Sequence, residues 1–247
     1  MFEDIAGRFN LRVVIGETKR FLRKISFSWR QTMGDKIKNV ESLFETKFIK
    51  VFDLELENNR HYYDATRREK SELVATKTIE GFKKMLPDAV SLIVIIKNEG
   101  SEPKLLLSRE FRYPAGQFLL SVPAGLIDKE DKEKANPLIE TAKRELMEET
   151  NIEIKEGDEI KVVNPFLFST PGMTDESNAL VKVVINNADI ESISSKGAVG
   201  SECFDGFVLL TKEEAEKVLK SGVDDKGLFY SVYTWSALAY FVADMWK

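Results

Sequence analysis

Residues 144–149 read Arg-Glu-Leu-Met-Glu-Glu, and this hexapeptide places three carboxylates on one face of a helix. Glu145, Glu148 and Glu149 stand at i, i+3 and i+4, where like charges destabilise a helix. A hard divalent cation such as Mg²⁺ or Mn²⁺ reverses that effect, because it binds carboxylate oxygens. Arg144 precedes Glu148 by four residues, so we expect a salt bridge between them. The hexapeptide predicts a metal site, and a solvated acidic face is the alternative.

The helix that carries the hexapeptide is predicted over residues 137–150. Asn136 suits the N-cap position, and Pro137 suits the first helical position because its missing N–H would be unpaired there anyway. Asn151 suits the left-handed position that follows a helix. The signals at the two ends agree with one another and predict one well-defined helix.

Strands and helices surround this helix without regular βαβ alternation. Strands are predicted near residues 47–57, 61–65, 89–97, 104–110, 118–122, 160–168, 180–185 and 207–210. Thr211 and Glu214 form a capping box that opens a helix to about residue 220, and a last helix is predicted over 230–246. This order favours an α+β fold with a mixed sheet over a doubly wound fold.

Composition excludes several functional classes. The chain has 247 residues, of which 43% are hydrophobic and 31% charged, a balance typical of soluble globular proteins. The longest apolar run, residues 92–96, is far shorter than the roughly 20 residues of a membrane span. The single cysteine, Cys203, cannot form an intramolecular disulfide, which favours a cytoplasmic location. The single histidine, His61, disfavours a Ser-His-Asp triad, so we expect carboxylate chemistry.

Charge is distributed unevenly along the chain. The net charge is −5, yet residues 1–40 contain nine Lys or Arg and only four Asp or Glu. An acidic main body disfavours a general nucleic-acid binder. The basic N-terminal segment could contact an anionic partner, and a solvated extension is the alternative.

Residues 125–152 resemble the Nudix box, GX5EX7REUXEEXGU, in which U is apolar. Three flanking segments resemble the ADP-ribose pyrophosphatase branch of that superfamily: residues 109–114, 123–128 and 169–176. The resemblance extends over about residues 47–247, in the same order along the chain.

The sequence departs from the box in four places. Arg144 follows Gly125 by 19 residues where the pattern has 14, and we assign the extra residues to 129–134. Counting back from Arg144 places the first Glu of the pattern at Asn136, with Glu133 and Glu140 as substitutes. The last two departures are Asn151 at the box glycine and Ser121 where the family often has Glu.

The resemblance implies Mg²⁺-dependent hydrolysis of the pyrophosphate bond of ADP-ribose to AMP and ribose 5-phosphate, by water that the metal activates. Mn²⁺ is a possible substitute. The implied metal ligands are Glu145, Glu148, Glu149 and the backbone carbonyl of Ala124 or Gly125.

Catalytic and substrate-binding residues follow from the same resemblance. Glu202 is the candidate general base, with Asp205 and Glu176 as alternatives, and Glu148 and Arg144 complete the catalytic set. Arg67 and Arg112 match arginines that bind the phosphates, for which the guanidinium fork is suited. Phe111 is the candidate for stacking on adenine, with Phe48 and Phe52 as alternatives.

The implied fold is an α/β/α Nudix sandwich with a mixed sheet, preceded by a β-hairpin region and a basic extension. We assign 1–45 to the extension, 46–86 to an N-terminal β region that forms a homodimer, and 87–247 to the Nudix hydrolase domain. Two alternatives remain: a Nudix hydrolase of another nucleoside diphosphate sugar, and a non-catalytic Nudix domain that senses a nucleotide. We expect no nucleic-acid partner and no membrane span.

Overall fold

The computed structural model describes residues 36–195, residue 197 and residues 203–247. Most of the basic extension, and Glu202, therefore lie outside the described residues. The described residues divide into two compact units: residues 36–41 with Asp53–Tyr62 form the first, and the other described residues form the second. Within the described residues, no helix combines the length and apolar character needed to cross a membrane.

The N-terminal strands form a three-stranded sheet in the order β1-β2-β3: β1 (Ile37–Glu45), β2 (Lys50–Leu56) and β3 (His61–Thr66). Asn59 lies in the turn before β3 with φ of 59°, a left-handed conformation that Asn tolerates well. Strand β1 falls in the residues that we assigned to the extension. Its side chains are almost all exposed or half-buried, so it lacks the apolar alternation by which strands are recognised.

A larger sheet in the second unit has seven strands. The path runs β10-β5-β4-β9-β8, with β6 paired to β5 and β7 paired to β4. The strands are β4 (Ala89–Lys97), β5 (Lys104–Arg112), β6 (Gln117–Ser121), β7 (Ala124–Leu126), β8 (Glu159–Phe168), β9 (Ser177–Asn186) and β10 (Phe204–Leu210). Strands β4 and β9 are parallel and the other pairs are antiparallel, which confirms a mixed sheet.

Helices cover both faces of this sheet. They are the short α1 (Ile79–Phe82) and α2 (Lys129–Lys132), followed by α3 (Pro137–Thr150), α4 (Lys212–Ser221) and α5 (Val232–Val242). Successive side chains of a strand point to opposite faces. Ile93 therefore packs with α4 and α5, whereas Leu92 packs with α3. The expected α/β/α sandwich of the α+β class is confirmed.

The ends of the long helices follow local sequence signals. Asn151 adopts a left-handed conformation with φ of 59°, and its N–H donates to the Met147 carbonyl, as expected. Asn136 is the N-cap residue of α3, but its side chain accepts no capping hydrogen bond from the described residues. The capping box of Thr211 and Glu214 is present. Helix α5 is shorter than expected at both ends.

Candidate active site

A cavity of about 670 Å³ lies where β7, α3 and the beginning of α5 meet the ends of β5 and β6. Charged side chains make up much of its wall: Arg67, Arg112, Asp128, Arg144, Glu145, Glu148 and Glu176. The rest of the wall has neutral polar side chains, including Ser121, Asn178, Ser231 and Tyr233, and apolar ones such as Leu119 and Val122. Arginines and carboxylates facing one cavity suit an anionic substrate that is neutralised partly by protein cations and partly by a bound metal ion.

The three glutamates of α3 occupy different environments. Glu145 and Glu149 are buried, whereas the side chain of Glu148 is 34% exposed. Glu149 accepts a hydrogen bond of 3.2 Å from the Ala124 N–H, which ties α3 to β7. Glu149 is not among the described residues that line the cavity, while Glu145 and Glu148 are.

Gly125 gives the Glu145 carboxylate its space. A Cβ atom on Gly125 would lie well inside 3.0 Å of all three atoms of that carboxyl group. The carboxylate therefore packs directly on the backbone of β7, and only glycine allows this approach. The glycine of the sequence pattern is explained by this contact.

Arg144 joins the acidic groups around α3. Its Nη1 lies 2.7 Å from Glu145 Oε1 and 3.1 Å from Glu148 Oε2, so the expected bridge to Glu148 is present. Its Nη2 donates to the Leu126 carbonyl at 2.9 Å. Burial by itself would lower the pKa of the Arg144 guanidinium. The hydrogen bonds to Asp131 and the nearby carboxylates, Glu145 first, outweigh burial and raise that pKa, so Arg144 stays charged.

Asp131 is a residue that the sequence analysis missed. It lies in α2, in the stretch 129–134 to which we had assigned the extra residues, and is buried. Its Oδ2 accepts hydrogen bonds from Arg144 Nη2 at 2.9 Å, Arg144 Nε at 3.2 Å and Thr141 Oγ1 at 3.0 Å.

The position of Asp131 corrects the alignment of the box. Counted forward from Gly125, the acidic position of the pattern falls on Asp131, so the insertion follows this residue. The structure therefore places Asp131 against Arg144, and not Asn136 as the backward count implied. Of the two suggested substitutes, Glu140 pairs with Lys143 on the exposed side of α3.

The two expected phosphate-binding arginines both line the cavity. Arg67 follows β3 and its Nε donates to Glu176 Oε1 at 3.0 Å. Arg112 ends β5 and its Nη2 lies 2.6 Å from Glu110 Oε2. Both guanidinium side chains are 47% exposed, so each is oriented by a carboxylate and still accessible to a ligand.

Phe111 is not among the described residues that line the cavity. Its ring makes edge-on contacts with Phe118 and Tyr113, at centroid distances of 5.3 and 5.1 Å. Of the alternatives for stacking, Phe52 is fully buried and Phe48 is 70% exposed. This geometry gives no support to the expectation that Phe111 stacks on adenine, because its alternation along β5 turns it away from the cavity.

Glu176 and Tyr233 are brought to the cavity from distant parts of the chain. Glu176 was an alternative to Glu202, whereas Asp205, the other alternative, lies 3.3 Å from Lys226 and is not among the described lining residues. Burial, with a contribution from Glu176, raises the pKa of Tyr233 to about 12, so its phenol remains protonated at neutral pH. Sequence reasoning missed Tyr233, since a Tyr in an apolar helix is usually a core residue.

The oxygen donors of this site suit a hard divalent cation. Among the described residues, no group of three or more His, Cys, Asp or Glu side chains converges as a metal site. The carboxylates of Glu145 and Glu148 instead meet the guanidinium of Arg144. Carboxylate and backbone carbonyl oxygens are the ligands that Mg²⁺ prefers. The Glu145 carboxylate lies directly against the backbone of Gly125 in the wall of the cavity.

Comparisons with known proteins agree with this geometry. The family model described as NUDIX domain matches residues 85–223. An ADP-ribose pyrophosphatase of Saccharomyces cerevisiae is 29% identical over 179 residues, which cover 72% of this chain and 71% of that protein. An ADP-sugar pyrophosphatase of Mus musculus is 29% identical over 127 residues, 51% of this chain and 54% of that protein.

The chain is also similar to a protein of Schizosaccharomyces pombe and to a solved structure. An uncharacterised Nudix hydrolase of Schizosaccharomyces pombe is 36% identical over 104 residues, 42% of this chain and 44% of that protein. The chain thus spans about half the length of the Schizosaccharomyces pombe protein and of the mouse protein. The crystal structure of an ADP compounds hydrolase superposes with a TM-score of 0.53 at 20% identity, covering 87% of this chain and 94% of that one.

Proposed function

The chain belongs to the NUDIX domain family, and from this premise we propose that it hydrolyses the pyrophosphate bond of ADP-ribose in a Mg²⁺-dependent reaction. Water adds to one phosphorus, the bridging P–O bond breaks, and the products are AMP and ribose 5-phosphate. The names of two relatives support this substrate class: the Saccharomyces cerevisiae protein is an ADP-ribose pyrophosphatase, and the mouse protein is an ADP-sugar pyrophosphatase.

One observation carries the proposal: Glu145 and Glu148 of α3 line the same cavity as Arg67, Arg112 and Arg144. Arg67 and Arg112 are accessible cations that would bind the diphosphate oxygens, for which charge-assisted hydrogen bonds are strong. Arg144 is held by Asp131 and keeps Glu145 and Glu148 in place. Phosphoryl transfer depends mainly on positioning and charge neutralisation, and these residues supply both.

Glu145, Glu148 and Glu149, with the carbonyl of Ala124 or Gly125, would hold the divalent cation that members of this family generally use. When bound, Mg²⁺ supplies neutralisation of the diphosphate charge and lowers the pKa of a water molecule. The protein contributes the fixed geometry: Glu149 is anchored on the Ala124 N–H and Glu145 on the backbone of Gly125.

Glu202 remains our proposed general base, with Glu176 as the alternative. Gly197, five residues before Glu202, packs so closely on α3 that a Cβ there would lie 2.6 Å from the Glu148 carbonyl oxygen. Glu176 already lines the cavity, where it pairs with Arg67. Comparing E202Q with E176Q distinguishes the two, since loss of the base lowers kcat and flattens its rise with pH.

We also propose that the chain acts as a cytoplasmic homodimer that uses residues 46–86. Three aromatic side chains near this region are unusually exposed for their size: Phe48 at 70%, Tyr63 at 58% and Phe44 at 55%. Exposed aromatic groups are enriched in protein interfaces. Light scattering on the purified protein should give the mass of two chains, and a monomer at micromolar concentration would contradict this part of the proposal.

The substrate is tested by incubating the protein with ADP-ribose and Mg²⁺ and following AMP by chromatography. E149Q should abolish AMP release, whereas E140Q, on the exposed side of the same helix, should leave it unchanged. A panel of nucleoside diphosphate sugars tests the second candidate, which Ser121 in the cavity wall favours because a short side chain leaves room for a bulkier group. Tight binding of ADP-ribose without AMP release would favour the non-catalytic sensor.

A further inference from the structure

Arg67 and Arg68 are neighbours in the chain but lie in opposite surroundings. Arg67 lines the cavity, and its side chain is 47% exposed. The side chain of Arg68 is only 11% exposed, and its Nη2 lies 2.8 Å from Asp88 Oδ2 and 3.1 Å from Ser177 Oγ. Its Nε lies 3.6 Å from Asp175 Oδ2. Arg68 therefore points into a buried polar cluster while Arg67 points into the cavity.

Asp175 fastens the chain around Arg67 to a loop more than a hundred residues away. Its Oδ1 accepts a hydrogen bond of 2.5 Å from Thr66 Oγ1, and its N–H donates to Asp64 Oδ1 at 3.0 Å. The Ala65 N–H donates to the Met173 carbonyl at 3.0 Å. Residues 64–66 and 173–175 are thus joined by three hydrogen bonds.

Asp88 connects the cluster to the segment that follows β7. Its Oδ2 accepts from the Ser177 N–H at 2.9 Å and from Ser177 Oγ at 3.1 Å, in addition to Arg68. Its backbone carbonyl accepts from the Ile127 N–H at 2.9 Å, immediately after the strand that contains Gly125. Asp88 therefore connects Arg68 with the wall of the cavity formed by β7.

The cluster is electrostatically costly. Arg68 supplies the positive charge of the cluster. Burial nevertheless raises the pKa of both the Asp64 and the Asp88 carboxyl groups. Replacing a buried ionic group by apolar residues is often neutral or stabilising, so stability alone does not account for this arrangement.

The residues of the cluster flank Arg67 and Glu176 in the sequence. Arg67 lies between Thr66 and Arg68, and Glu176 lies between Asp175 and Ser177, so both neighbours of each cavity residue belong to the cluster. Hydrogen bonds of the cluster hold the residues on both sides of Arg67 and of Glu176, which limits where these two side chains can lie. Arg67 Nε meets Glu176 Oε1 at 3.0 Å.

We propose that Arg68 is a positioning residue, which through Asp88 and Asp175 holds Arg67 and Glu176 at the cavity without contacting the substrate itself. This inference rests on the proposed function, because it takes Arg67 as a ligand of the substrate phosphates.

A double-mutant cycle tests the inference, with KM and kcat for ADP-ribose measured for wild type, R67A, R68Q and R67A/R68Q. R68Q should raise KM about tenfold and change kcat much less, since it displaces a binding group. In the R67A background the same substitution should raise KM no further, because the residue that it positions is already gone. R68K keeps the charge and should restore most of the affinity.

Arg109 provides the matched control. Its side chain is 10% exposed and its Nε and Nη2 lie 3.1 and 2.8 Å from Asp224 and Asp225. R109Q should lower the melting temperature much as R68Q does. In the double mutant R67A/R109Q, the fold changes in KM of the two single mutants should multiply. If R68Q fails to fold, T66V is the substitute, because it removes two hydrogen bonds of the cluster with little change in volume: Thr66 Oγ1 to Asp175 and the Arg68 N–H to Thr66 Oγ1. T66V should raise KM by about threefold, again only when Arg67 is present.

The outcomes separate this inference from the proposed function. Multiplying effects of R67A and R68Q, with intact hydrolysis in the wild type, would overturn the positioning role and leave the activity standing. An unchanged KM in R67A would overturn it too, because there would be no ligand to position. Absence of ADP-ribose hydrolysis in the wild type would instead contradict the proposed function.

Discussion

Replacing Gly125 by alanine should disable the site while leaving the fold intact. An ideal Cβ on Gly125 lies 1.9 Å from the carboxyl carbon of Glu145, and ordinary van der Waals contact begins at 3.4 Å. The carboxyl group would therefore have to retreat by about 1.5 Å, and a misplacement of about 1 Å at a reacting centre can lower the rate about a hundredfold. Gly125 does not have a positive φ, so alanine introduces no backbone strain.

The assay is the initial rate of AMP release at saturating ADP-ribose and Mg²⁺, with the melting temperature measured in parallel. G125A should lose about a hundredfold in kcat and shift the melting temperature by only a few degrees. G81A is the control, since Gly81 lies in the short helix α1 and a Cβ there would meet Thr78 Oγ1 at 3.2 Å and Lys77 Cβ at 3.7 Å, and no residue of the cavity. Activity of G125A within threefold of wild type would refute the reasoning, because Glu145 would then not be needed where it lies.

Three further predictions follow from charges in the second unit. D131N removes the carboxylate that binds Arg144 and should lower kcat, measured by AMP release, by about tenfold. E140Q, the control, should leave kcat unchanged. Equal rates for D131N and wild type would contradict the role of Asp131. Burial raises the pKa of Asp64 from 3.8 to about 6, so the folded state prefers its protonated form and stability falls as pH rises through that range. The melting temperature of D64N relative to wild type should therefore rise between pH 4 and pH 6 and stay level above pH 6; a difference independent of pH would contradict this assignment. Chelation of divalent cations should abolish AMP release and added Mg²⁺ should restore it, and activity that survives chelation would exclude the metal-dependent reaction.

Local signals accounted for much of the fold. The ends of α3 were predictable because Pro137 and Asn151 act through their own backbone conformations. Strand β4 was predictable from its continuous apolar run, and the structure explains that run by helices on both faces of the sheet. Strand β1 could not be predicted, since its exposed side chains give no periodic signal.

Without the family resemblance, the cavity was predictable only where one segment carries the chemistry. The glutamates of α3 lie within five residues, so a helix alone brings them together. Arg67 and Glu176 are 109 residues apart, and their pairing depends on tertiary structure that the sequence does not display. Asp131 was missed for another reason: the insertion lies after it, and a count from Arg144 passes over it.

Phosphorus NMR of ADP-ribose incubated with the protein and Mg²⁺ tests the central claim most directly. The account predicts that the two pyrophosphate resonances disappear together and that two phosphomonoester resonances replace them, from AMP and ribose 5-phosphate, with no inorganic phosphate. E145Q should leave the pyrophosphate resonances in place. Unchanged pyrophosphate resonances with the wild-type protein, or the same rate of loss with E145Q, would contradict hydrolysis at this cavity.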